Sequence, residues 1–146
     1  NQIVHGSAGL TIAKLRTAKQ TLDLGNVDPS IPRHIIVSPK QITDLLGTTE
    51  VTSSDFNTVK ALANGEVNSF LGFNFIVSNR LALSSTTRSC IAFAQDGIAL
   101  AVGKDVQARI DERSDKSYAT QVYYCMSIGA TRMEEAKVVE VQCTES

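Results

Sequence analysis

The chain has 146 residues and a formal net charge of -1, with 42% hydrophobic and 20% charged residues. These values are typical of one folded unit and exclude a disordered or fibrous chain. The near-neutral charge argues against a dedicated nucleic-acid binder, which needs a surplus of Lys and Arg. The sequence contains no apolar run near the roughly 18 residues that span a bilayer and no basic-then-apolar leader, so we expect a protein that is neither membrane-bound nor exported.

The first predicted element is a helix over residues 11–24, which Thr11 is placed to cap and Gly25 to end. Its apolar side would hold Ile12, Leu15, Ala18 and Leu22. Two prolines within residues 26–32 then predict a connection, because proline cannot continue the helix. We expect this connection to be a boundary between two lobes.

A buried strand and a second helix come next. Residues 34–37 form a short β-branched run that is typical of a strand. The following Ser38-Pro39-Lys40-Gln41 has the spacing of a capping box, with proline at the first helical position. It predicts a short helix with an apolar stripe of Ile42, Leu45 and Leu46, which Gly47 ends.

The centre of the chain predicts a loop, a helix and two further strands. Residues 48–54 are polar, and residues 55–64 have the periodicity of a helix that ends at Gly65. Strands are expected at residues 73–77 and 90–94, with a Ser/Thr-rich loop at residues 83–87. Residues 98–102 fit either a short helix or a strand, and Gly103 is expected to end it.

The last third of the sequence predicts long antiparallel strands. From Val106 apolar and charged residues alternate, which indicates a half-exposed strand. Residues 114–117 predict a turn, and a β-rich segment runs over residues 118–141, with a bend or bulge at Gly129 or at residues 132–135. The fold class predicted from this order of elements is α+β.

The three cysteines, Cys90, Cys125 and Cys143, are odd in number and widely spaced in apolar or strand-like contexts. This pattern favours buried thiols in a reducing compartment over a disulfide framework. The chain opens on Asn1 rather than Met, and we expect it to be a piece of a longer protein.

Residues 65–81 read as a helix end, a short turn and an apolar strand with a polar corner, and contain Leu71-Gly72-Phe73 and Val77-Ser78-Asn79. A basic helix precedes this stretch, and the passage Ala92-Phe93-Ala94-Gln95-Asp96-Gly97 and the charged strands follow it. This order of segments resembles that of major capsid proteins of tailed bacteriophages of the Hong-Kong-97 type. The resemblance covers residues 10–141. The family's N-terminal arm, extended loop and first part of the spine helix are not in this sequence.

The resemblance implies a structural protein that self-assembles into the icosahedral head of a tailed phage around double-stranded DNA. It implies three parts: residues 1–32 as a peripheral-domain helix and connection, residues 33–105 as the axial domain, and residues 106–146 as strands returning to the peripheral domain. The implied partners are copies of the chain in hexamers and pentamers, scaffolding and portal proteins, and packaged DNA through non-specific contact, with no membrane. The implied location is the virion, after assembly in the host cytoplasm.

Catalytic, cofactor and metal sites are not predicted. The two histidines are His5 near the terminus and His34 at the start of a buried strand, so neither is well placed as a base for a nucleophile. The stretch from Gly97 to Asp105 departs from a phosphate-binding loop in its glycine spacing and in its acidic last residue. The cysteines have no nearby histidine and do not form a metal-ligand cluster.

The charged residues are instead arranged for contact between subunits. Residues 104–116 carry four cations and four anions, a mixture that can set register between identical copies. An ordinary solvated strand edge would have the same pattern of charges. The candidate contact residues are Thr48, Thr49, Glu50, Ser54, Asp55, Arg88, Lys104, Asp105, Arg109, Asp111, Glu112, Arg113, Asp115 and Lys116.

Two alternatives remain open. One is an encapsulin-like compartment shell, which would have the same fold and enclose protein cargo. The other is a small αβ hydrolase or nucleotide-binding enzyme that uses Asp96, Lys104 and Asp111. The enzyme would need a concave pocket that gathers those three residues.

Overall fold

The computed structural model describes residues 1–47 and 69–145. Contacts divide the chain into two compact units, one formed by Asn1–Ile98 with Arg132–Ser146 and the other by Ala99–Thr131. The predicted loop at residues 48–54 and helix at residues 55–64 lie outside the described residues. The predicted boundary at residues 26–32 lies inside the first unit, and the division into axial and peripheral domains stays a prediction.

The first unit is built on a mixed sheet, to which seven strands of the described part contribute. The order is β1 (Gln2–Ile3), β9 (Val138–Thr144), β6 (Thr87–Ala94), β2 (Arg33–Val37), β4 (Phe73–Val77) and β3 (Ser69–Phe70), with β5 (Leu83–Ser84) paired to β6. The pairs β1–β9 and β2–β4 are parallel, and β6 runs antiparallel to both of its long neighbours. The predicted strands at residues 34–37, 73–77 and 90–94 are therefore confirmed.

Helix α1 (Ile12–Leu24) covers one face of this sheet and packs against β9. Its apolar stripe, Leu15, Ala18 and Leu22, is fully buried. The side chain of Thr11 accepts a hydrogen bond from the backbone N–H of Lys14, and Gly25 follows the last turn. The predicted helix, its cap and its end are confirmed.

Helix α2 (Pro39–Leu46) also forms where it was predicted and buries Leu45. The predicted capping box is wrong, because the Ser38 side chain makes no cap hydrogen bond. Its hydroxyl instead donates to a carboxylate oxygen of Glu145, and Gln41 also turns away from the helix start. A tertiary contact has replaced the local one.

A two-residue hairpin joins β3 to β4 through Leu71 and Gly72, which have φ values of 52° and 84°. Positive φ at both central residues is the geometry of the turn that best matches the right-handed twist of paired strands. The short turn that was expected between residues 70 and 73 is confirmed.

The loop predicted at residues 83–87 is wrong in part, because β5 and the start of β6 pair there as a tight hairpin. Short 3₁₀ turns at Gln95–Gly97 and Glu135–Lys137 flank the points where the chain leaves and re-enters this unit. The bend predicted at residues 132–135 is confirmed, whereas Gly129 lies inside a strand.

The second unit is a ribbon of two long strands, β7 (Ile98–Arg113) and β8 (Ala119–Arg132), joined at Ser114–Lys116. The predicted turn is confirmed, but Gly103 does not end the first strand. A Cβ at Gly103 would lie 3.6 Å from the Ser127 hydroxyl oxygen on β8, so the glycine sits within the pairing of the two strands. Pairing across the ribbon therefore overrides the weak strand preference of glycine.

The core of the first unit lies between the helices and the buried sheet face. Buried residues alternate along the strands, as in Ile35 and Val37 of β2 and Val139 and Val141 of β9. Cys90 and Cys143 belong to this core, as predicted, whereas Cys125 on the ribbon is partly exposed. Two helices and a large mixed sheet in the described residues confirm the α+β class.

Candidate subunit-contact surface

The ribbon exposes an apolar face. Odd positions of β7 and β8 share one face, because a Cβ at Gly103 would contact Ser127, and side chains alternate along a strand. Even positions therefore share the other face. We call this the apolar ribbon face, because it carries Leu100, Val102, Val106, Ile110, Val122, Tyr124, Met126 and Ile128, all exposed. Lys104 and Glu112 are the charged residues of β7 at even positions on the same face.

The degree of exposure on this face is unusual for such residues. Leu100, Ile110 and Val122 are exposed at 68%, 70% and 69%. The expected half-exposed strand is therefore wrong, because both faces of the ribbon are open to solvent in this chain. Contiguous exposed apolar surface of this kind marks a site where a soluble protein meets another surface.

The opposite, polar ribbon face carries many of the predicted contact residues. Arg109 and Asp111 line a shallow cavity of about 350 Å³ on this face, together with Gln107, Gln121 and Tyr123. Lys104 stands at an even position, but its side chain also lines this cavity. Mixed donors and acceptors at its wall allow hydrogen bonds and ion pairs in either direction. The sequence analysis identified the charged members of this set and missed the two glutamines and the tyrosine.

The eight predicted charges of residues 104–116 are all exposed. Arg113 and Asp115 form an ion pair with each other, which lowers the pKa of Asp115. Asp105 accepts a hydrogen bond from the backbone N–H of Val106. Within residues 1–47 and 69–145, Lys104, Arg109, Asp111, Glu112 and Lys116 have no hydrogen-bond or ion-pair partner, so they are available for contacts.

Arg88 is placed differently from the other predicted contact residues. Its guanidinium is largely buried and donates two hydrogen bonds to Oε2 of Glu145, from Nε at 3.1 Å and from Nη2 at 2.8 Å. A third donor, Nη1, reaches the carbonyl of Leu81 at 2.8 Å. Because its donors are satisfied inside the chain, we leave Arg88 out of the contact surface. Thr48, Thr49, Glu50, Ser54 and Asp55 lie outside the described residues.

Glu145 is a structural centre that sequence reasoning missed. Besides Arg88, it accepts hydrogen bonds from the Ser38 hydroxyl and from Gln41 Nε2 at 3.1 Å. The amide oxygen of Gln41 in turn accepts from the backbone N–H of Leu10 at 2.7 Å. The Arg88 hydrogen bonds are the main cause that lowers the pKa of Glu145 to about 2. The sequence around Glu145 contains no local pattern that predicts these partners.

The three residues named for the alternative enzyme, Asp96, Lys104 and Asp111, are divided between the two units. Asp96 belongs to the first unit, where it pairs with Lys137 at 2.7 Å, and Lys104 and Asp111 belong to the ribbon. His34 is half-buried and lies beside the ring of Phe93, with 5.6 Å between ring centroids. Among the described residues, no group of three or more His, Cys, Asp or Glu side chains is arranged to hold a metal ion, and no helix could cross a bilayer.

A profile of the phage capsid protein family matches residues 1–145. No curated protein sequence matches the chain. Among solved structures, a protein of Mycobacterium phage Che8 superposes with a TM-score of 0.77 at 16% identity, covering 97% of this chain and 52% of that one.

Two further structures extend the comparison. The head structure of Helicobacter pylori bacteriophage KHP40 matches with a TM-score of 0.73 at 11% identity, over 100% of this chain and 62% of that one. The SrpI encapsulin of Synechococcus elongatus matches with a TM-score of 0.65 at 9% identity, over 99% and 53%. The chain thus spans about half to three-fifths of the length of these relatives.

The similar structures confirm the predicted Hong-Kong-97-type fold. The family profile covers nearly every residue. The chain belongs to the phage capsid protein family.

Proposed function

We propose that this chain is part of a major capsid protein whose copies tile the head shell of a tailed bacteriophage around double-stranded DNA. The observation that carries the proposal is the apolar ribbon face, considered together with membership of the phage capsid protein family. The role is structural rather than enzymatic.

The ribbon is the element that most needs a partner. A two-stranded sheet is marginally stable at best in water, and this one exposes eight large apolar side chains on one face. Burial of that face against protein in the assembled shell would supply the missing stabilisation. A shell made of many moderate contacts of this kind becomes stable because each subunit touches several neighbours.

The polar ribbon face would set the register of those contacts. Lys104, Arg109 and Asp111 present both signs of charge within one shallow cavity. Complementary charges align neighbouring copies and penalise misaligned ones. In this proposal the apolar ribbon face supplies the affinity between subunits, and the predicted charged residues of the polar face fix their register.

The remaining elements of the proposal come from the family. Copies would form hexamers and pentamers, scaffolding and portal proteins would assist assembly, and packaged DNA would be met through non-specific contact. The location would be the virion, after assembly in the host cytoplasm. Residues 33–105 would form the axial domain, and the other segments would belong to the peripheral domain.

Electron microscopy of the full-length protein tests the proposal. We expect closed particles with hexameric and pentameric capsomers after expression in bacteria, and full heads when the other structural genes of the phage are present. A full-length protein that stays monomeric with and without those partners would overturn it.

An encapsulin-like compartment is the second candidate, and the match to the SrpI encapsulin favours it specifically. The content of purified particles separates the two. Nuclease-protected double-stranded DNA supports the phage head, whereas particles that contain one co-purifying protein and no DNA support the compartment.

A further inference from the structure

The two outer edges of the ribbon differ in charge. Within the described residues β7 and β8 pair with each other alone, so each strand has one free edge. Strand β7 carries six charged residues, and the Asp105 side chain accepts the backbone N–H of Val106 at 2.7 Å. Residues 119–131 of β8 contain no charged residue and no proline. Charges and prolines keep an exposed edge from pairing with another chain, so the β7 edge is protected and the β8 edge is not.

The composition of β8 favours the addition of a further strand. Val122, Tyr123, Tyr124 and Ile128 are β-branched or aromatic residues, the types enriched in strands. The free edge of such a strand presents a row of backbone N–H and C=O groups that another strand can bind. These backbone bonds would add affinity that does not depend on the apolar ribbon face.

We propose that the free edge of β8 pairs with the free edge of β8 in a second copy of the chain, antiparallel, so that two ribbons form one four-stranded sheet. The partner is a second copy because an uncharged strand can face itself without placing like charges opposite each other, which would destabilise the pair. The contact is twofold symmetric, as is usual where the same surface of two copies meets. As one of the contacts between shell subunits, it rests on the proposed function.

The uncharged stretch also fixes the register of the two strands. A shift by one residue would place the apolar side chains of one copy beside the polar side chains of the other. Residues 119–131 overlap over their full length when Cys125 faces the second copy's Cys125, because residue 125 is the midpoint of this stretch. The charged Arg132 then stays outside the overlap.

This register continues the apolar ribbon face from one ribbon to the next. Val122 faces Ile128 of the second copy, and Tyr124 faces Met126 of the second copy. All four side chains are exposed in the single chain. Apolar and aromatic pairs that lie directly opposite each other stabilise neighbouring strands.

Disulfide trapping tests the contact, with the partly exposed free thiol of Cys125 as its reporter. Directly opposite residues of antiparallel strands have Cα atoms about 4.5 to 5.5 Å apart, which is within the range that a disulfide bridges. We expect diamide treatment of the reduced full-length protein to give a dimer on non-reducing electrophoresis. Peptide mapping should identify a linkage between the two Cys125 residues, and Cys125→Ser should abolish it.

The double variant Cys125→Ser/Ser127→Cys is the matched control, because it moves the thiol two residues along the same face of β8. In the proposed register residue 127 faces residue 123, so two thiols at position 127 would be four residues, or about 13 Å, apart. We expect no linkage from this variant. Circular dichroism checks that each variant remains folded.

Two results would overturn the inference. One is the absence of a Cys125 linkage in full-length protein after diamide treatment, and the other is equal linkage at positions 125 and 127, which indicates random collision. Electron microscopy of the same samples reports on particle formation independently. Particles without the linkage remove this contact and leave the proposed function, whereas the linkage without particles supports the contact and counts against the shell.

Discussion

At the scale of single residues, Glu145 joins parts of the chain that are far apart in sequence. Its carboxylate holds Arg88 of β6 and both Ser38 and Gln41 at the start of α2. The side chains of Glu145 and Arg88 are each only 12% exposed. The loss of either charge therefore leaves the other charge unpaired at a site that water solvates poorly.

Substitution of Glu145 by Gln should lower the free energy of unfolding by about 2 to 3 kcal/mol, because charge-assisted hydrogen bonds contribute more than neutral ones. Urea denaturation followed by circular dichroism measures the change. Glu112→Gln is the matched control and should have little effect, since Glu112 is exposed and has no partner among the described residues. Equal effects of the two substitutions would contradict the structural role of Glu145.

The same carboxylate predicts a pH dependence. Folding lowers the pKa of Glu145 from 4.5 to about 2, so its ionised form stabilises the folded state. That contribution is complete above the unfolded-state pKa and disappears as the pH falls towards the folded-state pKa. The stability gap between wild type and Glu145→Gln should therefore be constant at neutral pH and narrow between pH 4.5 and about 2. A gap that widens on acidification would refute this assignment.

At the scale of elements, the hairpin between β3 and β4 depends on Gly72. Its φ of 84° disfavours any residue with a Cβ, although no atom lies within 4 Å of where that Cβ would be. A change to Ala therefore tests backbone conformation without a steric clash.

Gly72→Ala should cost about 1 to 2 kcal/mol of stability, the typical penalty for a left-handed conformation in a residue with a side chain. Thermal denaturation measures it. Gly129→Ala is the control, because a Cβ there also meets nothing and its φ is outside the left-handed region. We expect no loss for Gly129→Ala, and a Gly72→Ala protein as stable as the wild type would show that the hairpin relaxes freely.

The start of α2 shows the limit of local sequence patterns. Ser38 and Gln41 have the capping-box spacing, yet both side chains bind Glu145, which lies 107 and 104 positions away. The helix itself was predicted correctly, because proline at the first helical position and the apolar stripe do not depend on that partner. The fate of the two polar side chains was set by tertiary structure.

At the scale of the whole molecule, the ribbon offers a matched pair for a test of assembly. Tyr124 lies on the apolar ribbon face and Tyr123 on the polar one, at 62% and 50% exposure. Because the two tyrosines are adjacent in β8 but lie on different faces, the same substitution at each position has the same general effect on the strand. A difference in assembly between the two variants therefore reports on burial of the apolar ribbon face.

Tyr124→Ser in the full-length protein should raise the concentration required for particle formation about tenfold or more, because burial of one large apolar side chain contributes about 1.5 to 3 kcal/mol. Tyr123→Ser should have a much smaller effect. Light scattering and electron microscopy measure assembly, and circular dichroism checks that both variants remain folded. Unimpaired assembly of Tyr124→Ser would remove the apolar ribbon face from the shell contacts.

The sequence by itself determined the α+β class, helix α1 with its cap, strands β2, β4 and β6, and the turn before Phe73. These follow from periodicity, glycine and proline, which act over a few residues. It also identified the exposed charges of residues 104–116, but not the apolar ribbon face.

Only the tertiary structure decided the partners of Glu145, the burial of Arg88 and the exposure of both ribbon faces. The physical reason is that each depends on groups far apart in the chain, or on whether the described residues cover a strand face. An alternating pattern states that a strand has two different faces. It does not state whether the apolar face meets the chain's own core or, as we propose for this ribbon, another protein surface in a shell.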